Sequence, residues 1–491
     1  MARDKETEKQ QDSDTTGEPA DDLVTTSHTL TVEGRALGYT ATAGRIVLRE
    51  ENFSEGKFEG HAPRAEMFVV SYTLHGAEPA TRPVTFAFNG GPGSSSVWLH
   101  LGLFGPRRVV MGDAGSPTPP PWGLTDNMES LLAHSDLVFI DPVSTGYSRT
   151  VKGGKPRDYH GYAKDIESVA ELVRLWTSRS GRWLSPKFLA GESYGTLRAA
   201  ALAAHLQQRH GMFLNGLILI SSVLDMGAVR FTEGNDLPYS LFLPTYAAIA
   251  HYHGRHDRRS LREVLDEAQA FASGDYPLAL ARGARMPEAD RAEVARRVAA
   301  LTGLSADYVA RVRLRPEHLR FFRELRRADG LVVGRFDGRF TGWDADDGGE
   351  HPATDPSYAA LVGPYTAGLN HYVRAELGYS SDLPYEVLTD RVLPWSYASF
   401  EGQQVSVAGK LAEAMRDNPH LRVHVGAGYH DGATPYFAAE HVLAQLPIPD
   451  QLRANIEIRY YEAGHMMYVH EPSRIQQSAD LAAFVSAATH P

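Results

Sequence analysis

The sequence predicts an α/β fold, in which a mostly parallel sheet is interrupted by a mainly helical insertion. Three observations predict it. Short apolar runs alternate with helical stripes between residues 137 and 220, the rhythm stops near Asp225, and it resumes near Leu421. At 491 residues the chain exceeds the usual size of one hydrophobic core, so a large domain carrying a smaller one fits its length.

Residues 1–25 are rich in Lys, Glu, Asp, Gln and Thr and have no apolar core. They read as a disordered tail, and not as a signal peptide or membrane anchor. Between His28 and Asn89 come alternating stretches at 45–49, 66–74 and 84–88, rich in β-branched and aromatic residues. Alternation predicts strands, and their closeness predicts antiparallel neighbours at one end of the sheet. Leu137-Val-Phe-Ile140 is a continuous apolar run, as expected of a strand covered on both faces.

Ile166, Val169, Leu172, Val173 and Trp176 then recur at spacings of three and four, the stripe of an amphipathic helix. A strand at 188–190, an alanine-rich helix at 197–206 and a buried strand at 216–220 follow. From 225 to 394 the chain turns Arg-, Ala- and Asp-rich, with helical segments at 259–272 and 289–301 and no convincing parallel strand. Strands return at 421–425 and 456–460, each followed by a Gly-containing loop. The predicted organisation is therefore a tail (1–25), a catalytic α/β domain in two segments (26–224 and 395–491) and a helical cap (225–394).

Composition bounds the function. A formal net charge of −11, with no large basic patch, argues against a nucleic-acid partner. The absence of cysteine excludes disulfides, thiolate catalysis and Cys-ligated metal sites. The longest apolar run, 214–224, is too short to span a bilayer and is interrupted by polar residues. A soluble protein, in the cytoplasm, without membrane contact, is the expectation.

Gly191-Glu-Ser-Tyr-Gly195 sits directly after an apolar run and before a helical stretch, the context of a nucleophile elbow. A serine hydroxyl is a weak nucleophile until an imidazole removes its proton, and that imidazole needs a carboxylate to fix its tautomer. Asp431 and His465 follow the serine in that order, each in a loop after a predicted strand. A lone histidine near a strand end is by default structural; three matching positions reverse that default. Asn89-Gly-Gly-Pro-Gly93, directly after the strand at 84–88, can aim backbone N–H groups at a developing oxyanion. It lacks the endings of a P-loop or a dinucleotide fingerprint.

These residues carry a family resemblance. The chain resembles the serine carboxypeptidases of the α/β-hydrolase fold, most closely bacterial members without disulfides. The shared motifs are Asn89-Gly-Gly-Pro-Gly-Ser-Ser95, Phe139-Ile-Asp-Pro-Val-Ser-Thr-Gly-Tyr-Ser148, Gly191-Glu-Ser-Tyr-Gly195, Asp431-Gly-Ala-Thr-Pro435 and Gly464-His-Met466. The resemblance implies a triad of Ser193, His465 and Asp431, an oxyanion hole from the amides of Gly90 and Tyr194, and no metal or organic cofactor. It also implies that Asn89 and Glu192 hold the C-terminal carboxylate of a peptide substrate. Glu192 can do so only when protonated, since two charged carboxylates cannot share a hydrogen bond. Peptide binding is then expected to weaken as pH rises.

The chain departs from the family pattern at three places. Ala87 replaces a tryptophan, Leu103 falls where a second carboxylate-binding glutamate is expected, and Ser221-Ser-Val-Leu-Asp225 replaces an Asn-containing signature. A cation such as Arg107, Arg108 or an arginine of the insertion is the candidate replacement for the lost acid. His251, His253 and His256 read as surface or packing residues, and Asp344-Ala-Asp-Asp347 as a solvated turn, because neither has metal-ligand spacing. Met466, Met467 and Tyr468 either line the leaving-group side of the site or fill core. The expected activity is release of one C-terminal amino acid through an acyl-enzyme. An esterase or acyltransferase using the same triad without the carboxylate clamp is the alternative.

Overall fold

Alternating and apolar segments assemble into one ten-stranded sheet. A computed structural model describes residues 18–32 and 34–489. Strand β1 (Asp22–Val32) pairs antiparallel with β2 (Arg35–Ser54), which pairs antiparallel with β3 (Lys57–Leu74). This corrects the predicted tail: residues 22–25 belong to β1, while 1–17 lie outside the described residues. The physical reason is pairing, since Asp22 to Thr25 sit opposite Arg45 to Thr42 and gain ladder partners that composition does not reveal.

The parallel part follows the predicted rhythm. Strands β4 (Val84–Phe88), β5 (Asp136–Ile140), β7 (Lys187–Glu192), β8 (Gly216–Ile220), β9 (Arg422–Gly428) and β10 (Ile456–Tyr461) lie in the order β5-β4-β7-β8-β9-β10. All five pairings among them are parallel. β3 joins this part through an antiparallel pairing with β5, and the two-residue strand β6 (Arg149–Thr150) adds to β3.

Both faces of the sheet are covered, which is why the parallel strands read as continuous apolar runs. Phe86, Phe88, Leu217 and Leu219 face a core filled by helices α1 (Tyr162–Arg179) and α2 (Tyr194–His210). Ala87, Ile218 and Ile220 face the opposite core. The alanines of α2 at 199–201, 203 and 204 are buried in the first of these cores and let the helix lie close to the strands.

The stretch 225–394 behaves as two parts. Helices α3 (Leu237–Tyr252), α4 (Leu261–Ser273) and α5 (Glu288–Thr302) bury a cluster of their own around Phe242, Tyr246, Val264 and Val298. Helix α6 (Pro356–His371) instead packs Leu361, Tyr365 and Leu369 into the core on the sheet face. Between the two, a hairpin pairs 332–333 with 341–342. No helix among the described residues is long and apolar enough to cross a membrane.

Candidate active site

The elbow is where the β7 backbone turns abruptly into α2. Ser193 has φ 60° and ψ −128°, a conformation that costs an L-residue energy and persists only where the surroundings enforce it. Its amide donates to Ile220 O at 3.0 Å, and its carbonyl accepts from Thr196 N at 2.8 Å and Thr196 Oγ1 at 2.7 Å. The flanking glycines are sterically compelled. A Cβ on Gly191 would lie 2.1 Å from Gly195 O, and one on Gly195 would lie 2.8 Å from Phe88 O. The same holds at Gly90, whose Cβ would fall 2.4 Å from the amide nitrogen of Tyr194.

That contact makes the Gly90 and Tyr194 amides neighbours. Tyr194 opens α2, where first-turn N–H groups lack intrahelical acceptors. The Gly90 amide donates to no other group among the described residues. Two adjacent donors beside Ser193 are what a tetrahedral oxyanion requires.

Asp431 and His465 occupy the loops after β9 and β10, as the sequence predicts. His465 Nδ1 lies 2.8 Å from Asp431 Oδ2, and both residues are buried. Asp431 also accepts from Ala433 N (2.8 Å), Thr434 N (2.9 Å) and Thr434 Oγ1 (2.7 Å), so four hydrogen bonds converge on its carboxyl group and fix its orientation. Burial pulls the His465 imidazole down. The charge of Asp431 and its hydrogen bond, helped by Glu192, outweigh that and hold it above its ordinary value. Ser193 and His465 line the same cavity, and no hydrogen bond joins their side chains among the described residues. Such contacts are commonly open in unliganded sites.

Asn89 and Glu192 also come together. Asn89 Nδ2 donates to Glu192 Oε1 at 2.8 Å, and Tyr468 O–H donates to Oε2 at 2.7 Å. Burial raises the Glu192 carboxyl to about 7; the His465 charge and the Tyr468 and Asn89 hydrogen bonds oppose the rise, and Asp431 adds to it. A carboxyl in that state is a donor below neutrality and an anion above it. Asn89 is itself braced, since its carbonyl accepts from Arg198 Nη1 at 2.6 Å while Arg198 Nε pairs with buried Asp165 at 2.8 Å.

Asn89, Gly90, Glu192, Ser193, His465 and Met466 line one cavity of about 300 Å³. The remaining wall comes from elsewhere: Trp98, Arg335, Phe336, Tyr358, Leu388 and Leu393, most of them inside the predicted cap. The hairpin residues also hold the His465 loop. His465 N donates to Phe336 O, the two rings lie 5.1 Å apart, and Gly464 N donates to Asp337 Oδ2 at 3.2 Å.

Several sequence expectations resolve here. Leu103 is buried in the core and contributes nothing to the cavity, as is Ala87. Arg107 pairs with Asp126 and Glu376, Arg108 with Glu471, and neither lines the cavity. Ser221 Oγ donates to His465 O at 2.6 Å, so the divergent segment after β8 buttresses the histidine. Of the trio after His465, Met466 lines the cavity, while Met467 is core and Tyr468 is the buried partner of Glu192. His251, His253 and His256 each hydrogen-bond a backbone carbonyl, those of Arg259, Gly338 and Leu301. Sequence reasoning missed Arg198, Arg335, Phe336 and Tyr358. Only Arg198 left a signal, a cation one helical turn after the elbow.

Residues 60–267 match the serine carboxypeptidase family model. The chain is 29% identical over 135 residues to Serine carboxypeptidase-like 33 of Arabidopsis thaliana, covering 27% of this chain and 26% of that protein. It is 30% identical over 147 residues to Pheromone-processing carboxypeptidase KEX1 of Yarrowia lipolytica, covering 29% and 22%. The matched stretch thus spans about a quarter of the length of these relatives. A solved structure of Kex1(Δ)p, a prohormone-processing carboxypeptidase from Saccharomyces cerevisiae, superposes with TM-score 0.54 at 16% identity over 91% of each chain. That likeness shows the α/β-hydrolase fold.

Proposed function

We propose, for a chain that belongs to the serine carboxypeptidase family, hydrolysis of the C-terminal peptide bond of a peptide by Ser193, His465 and Asp431. One observation carries the reading. The strained serine, the histidine–aspartate pair and the buried Asn89–Glu192 pair all meet at a single cavity of about 300 Å³.

Ser193 attacks the scissile carbonyl while His465, oriented by Asp431, takes its proton. The amides of Gly90 and Tyr194 stabilise the oxyanion. His465 then protonates the leaving amino acid, and water repeats the sequence on the acyl-enzyme. Asn89 and protonated Glu192 bind the terminal carboxylate, a neutral arrangement available below about pH 7. The buried Leu103 favours a second reading, an esterase or acyltransferase that needs no second acid for carboxylate binding.

N-blocked dipeptides, their C-terminal amides and simple esters, assayed from acid to neutral pH, separate the two. Release of the free C-terminal amino acid, lost in Ser193→Ala, is the expected result. Turnover of esters with no action on any free-carboxylate peptide would sink the carboxypeptidase reading. Labelling by a fluorophosphonate probe, absent in Ser193→Ala, tests the nucleophile alone.

A further inference from the structure

We propose that Arg335 is a specificity-determining residue that pairs with a carboxylate of the bound substrate; this rests on the carboxypeptidase reading above. Arg335 lines the same cavity as Ser193 and His465, and among the described residues it is the only Arg or Lys that does. The residue is half-buried, and its guanidinium makes no hydrogen bond or ion pair within the chain, among the described residues. Its one side-chain partner is the Phe336 ring, 4.9 Å from the guanidinium carbon.

The neighbouring arginines show how unusual this is. Arg326 pairs with Asp329, Arg327 with Glu324 and Arg339 with Asp337. Asp355 is also close, but its oxygens accept from the amides of Arg335, Phe336 and Ser357. The Arg335 backbone is therefore anchored while its charge is left free. A guanidinium held this way is pre-organised for a planar, bidentate acceptor, and carboxylate has that geometry.

The rest of the cavity gives a cation a role. Its lining groups include the carboxyls of Glu192 and Asp390 beside the His465 imidazole. A substrate carboxylate entering beside Asp390, and beside Glu192 once that group ionises above about pH 7, meets repulsion that a positive charge offsets. The charge of Arg335 is also close enough to act on the His465 imidazole, which it lowers. Arg335 thus shares the cavity of Ser193 and His465 and has no ion-pair partner among the described residues.

The carboxylate has two possible sources, the substrate's C-terminus or an acidic side chain next to the scissile bond. Steady-state kinetics on wild type, Arg335→Gln and Arg335→Lys separate them. The substrates are N-blocked dipeptides with neutral or acidic side chains, each as free acid and as ester, and fluorophosphonate labelling verifies that each variant is folded. Arg335→Gln is expected to raise KM about tenfold or more with kcat within about twofold, and Arg335→Lys to recover most of the loss. A rise for every free acid and for no neutral ester assigns the C-terminus. A rise confined to Asp- and Glu-containing substrates assigns the side chain. Unchanged KM across the series, or an equal rise on uncharged esters, overturns the proposal and leaves Arg335 as packing for Phe336. Wild-type enzyme that releases no amino acid from any peptide overturns the carboxypeptidase reading instead.

Discussion

The two sides of the cavity are built differently. On the sheet side, Ser193, Gly90, Asn89 and Glu192 stand on strand ends and on turns where glycine is compelled by contacts of 2.1 to 2.8 Å. On the cap side, Arg335, Phe336 and Asp337 come from a short hairpin that reaches across to the His465 loop. The first side has no room to vary without losing its geometry. The second is held by a few long-range contacts and can change its lining residues while the hairpin stays in place. Ser193, Asn89 and Glu192 stand on the rigid side, and Arg335 and Phe336 on the adjustable one.

Substitutions on the rigid side are expected to have the largest effects. Asp431→Asn replaces the acceptor of the His465 Nδ1 proton with a group that can present an N–H, favouring the wrong tautomer. A fall in kcat of about 10⁴ with KM little changed is expected from steady-state kinetics. Gly90→Ala comes next. Its methyl cannot coexist with Tyr194 N at 2.4 Å, so the two amides must separate. A loss of kcat of about 10²–10³ follows if those amides form the oxyanion site. Near wild-type kcat in Gly90→Ala would remove that role.

The same division explains what could be read before the structure. The elbow, the glycine-rich turn and the order of Ser193, Asp431 and His465 are local patterns at strand ends, so strand and motif periodicity locate them. The β1 pairing of Asp22 with Arg45 is non-local, and a polar alternating strand resembles a tail by composition. Phe336 on His465 and Tyr468 on Glu192 depend on tertiary approach and carry no signature at either position. Leu103 could be placed only by register with relatives; burial shows that it is core.

The cap side should respond more weakly. Asp337 accepts from Gly464 N and neutralises buried Arg339 at 2.6 Å. Asp337→Ala leaves that guanidinium, among the described residues, with only exposed Asp113 at 3.6 Å as an ion-pair partner. Loss of roughly 3 kcal/mol of stability by denaturant unfolding is expected, as for breaking a buried pair. A fall in kcat of about tenfold should accompany it as the His465 loop loosens. An unchanged kcat in a variant that is measurably less stable would show that the hairpin supports the fold and does not position the histidine.

Glu192 lies on the sheet side, and its substitution is expected to produce the smallest and most pH-dependent change. Its carboxyl is raised from 4.5 to about 7, chiefly by burial. Between those values the folded protein keeps a proton that the unfolded chain has released, so the stability linked to Glu192 is fully present below about 4.5 and is lost as pH rises through about 7. A shift of that size corresponds to roughly 3 kcal/mol. Glu192→Gln removes the titration, so its unfolding free energy should fall less than that of wild type between pH 4.5 and 8. In catalysis, wild-type KM for free-carboxylate peptides should rise above about pH 7 as Glu192 becomes an anion, and the Gln variant should lack that rise. The charge of Glu192 also helps hold His465 raised. With Gln in its place the imidazole becomes a neutral base at lower pH, and the acidic limb of kcat should move down. A Gln variant whose KM profile still rises through neutrality would assign the titration to another group and detach carboxylate binding from Glu192.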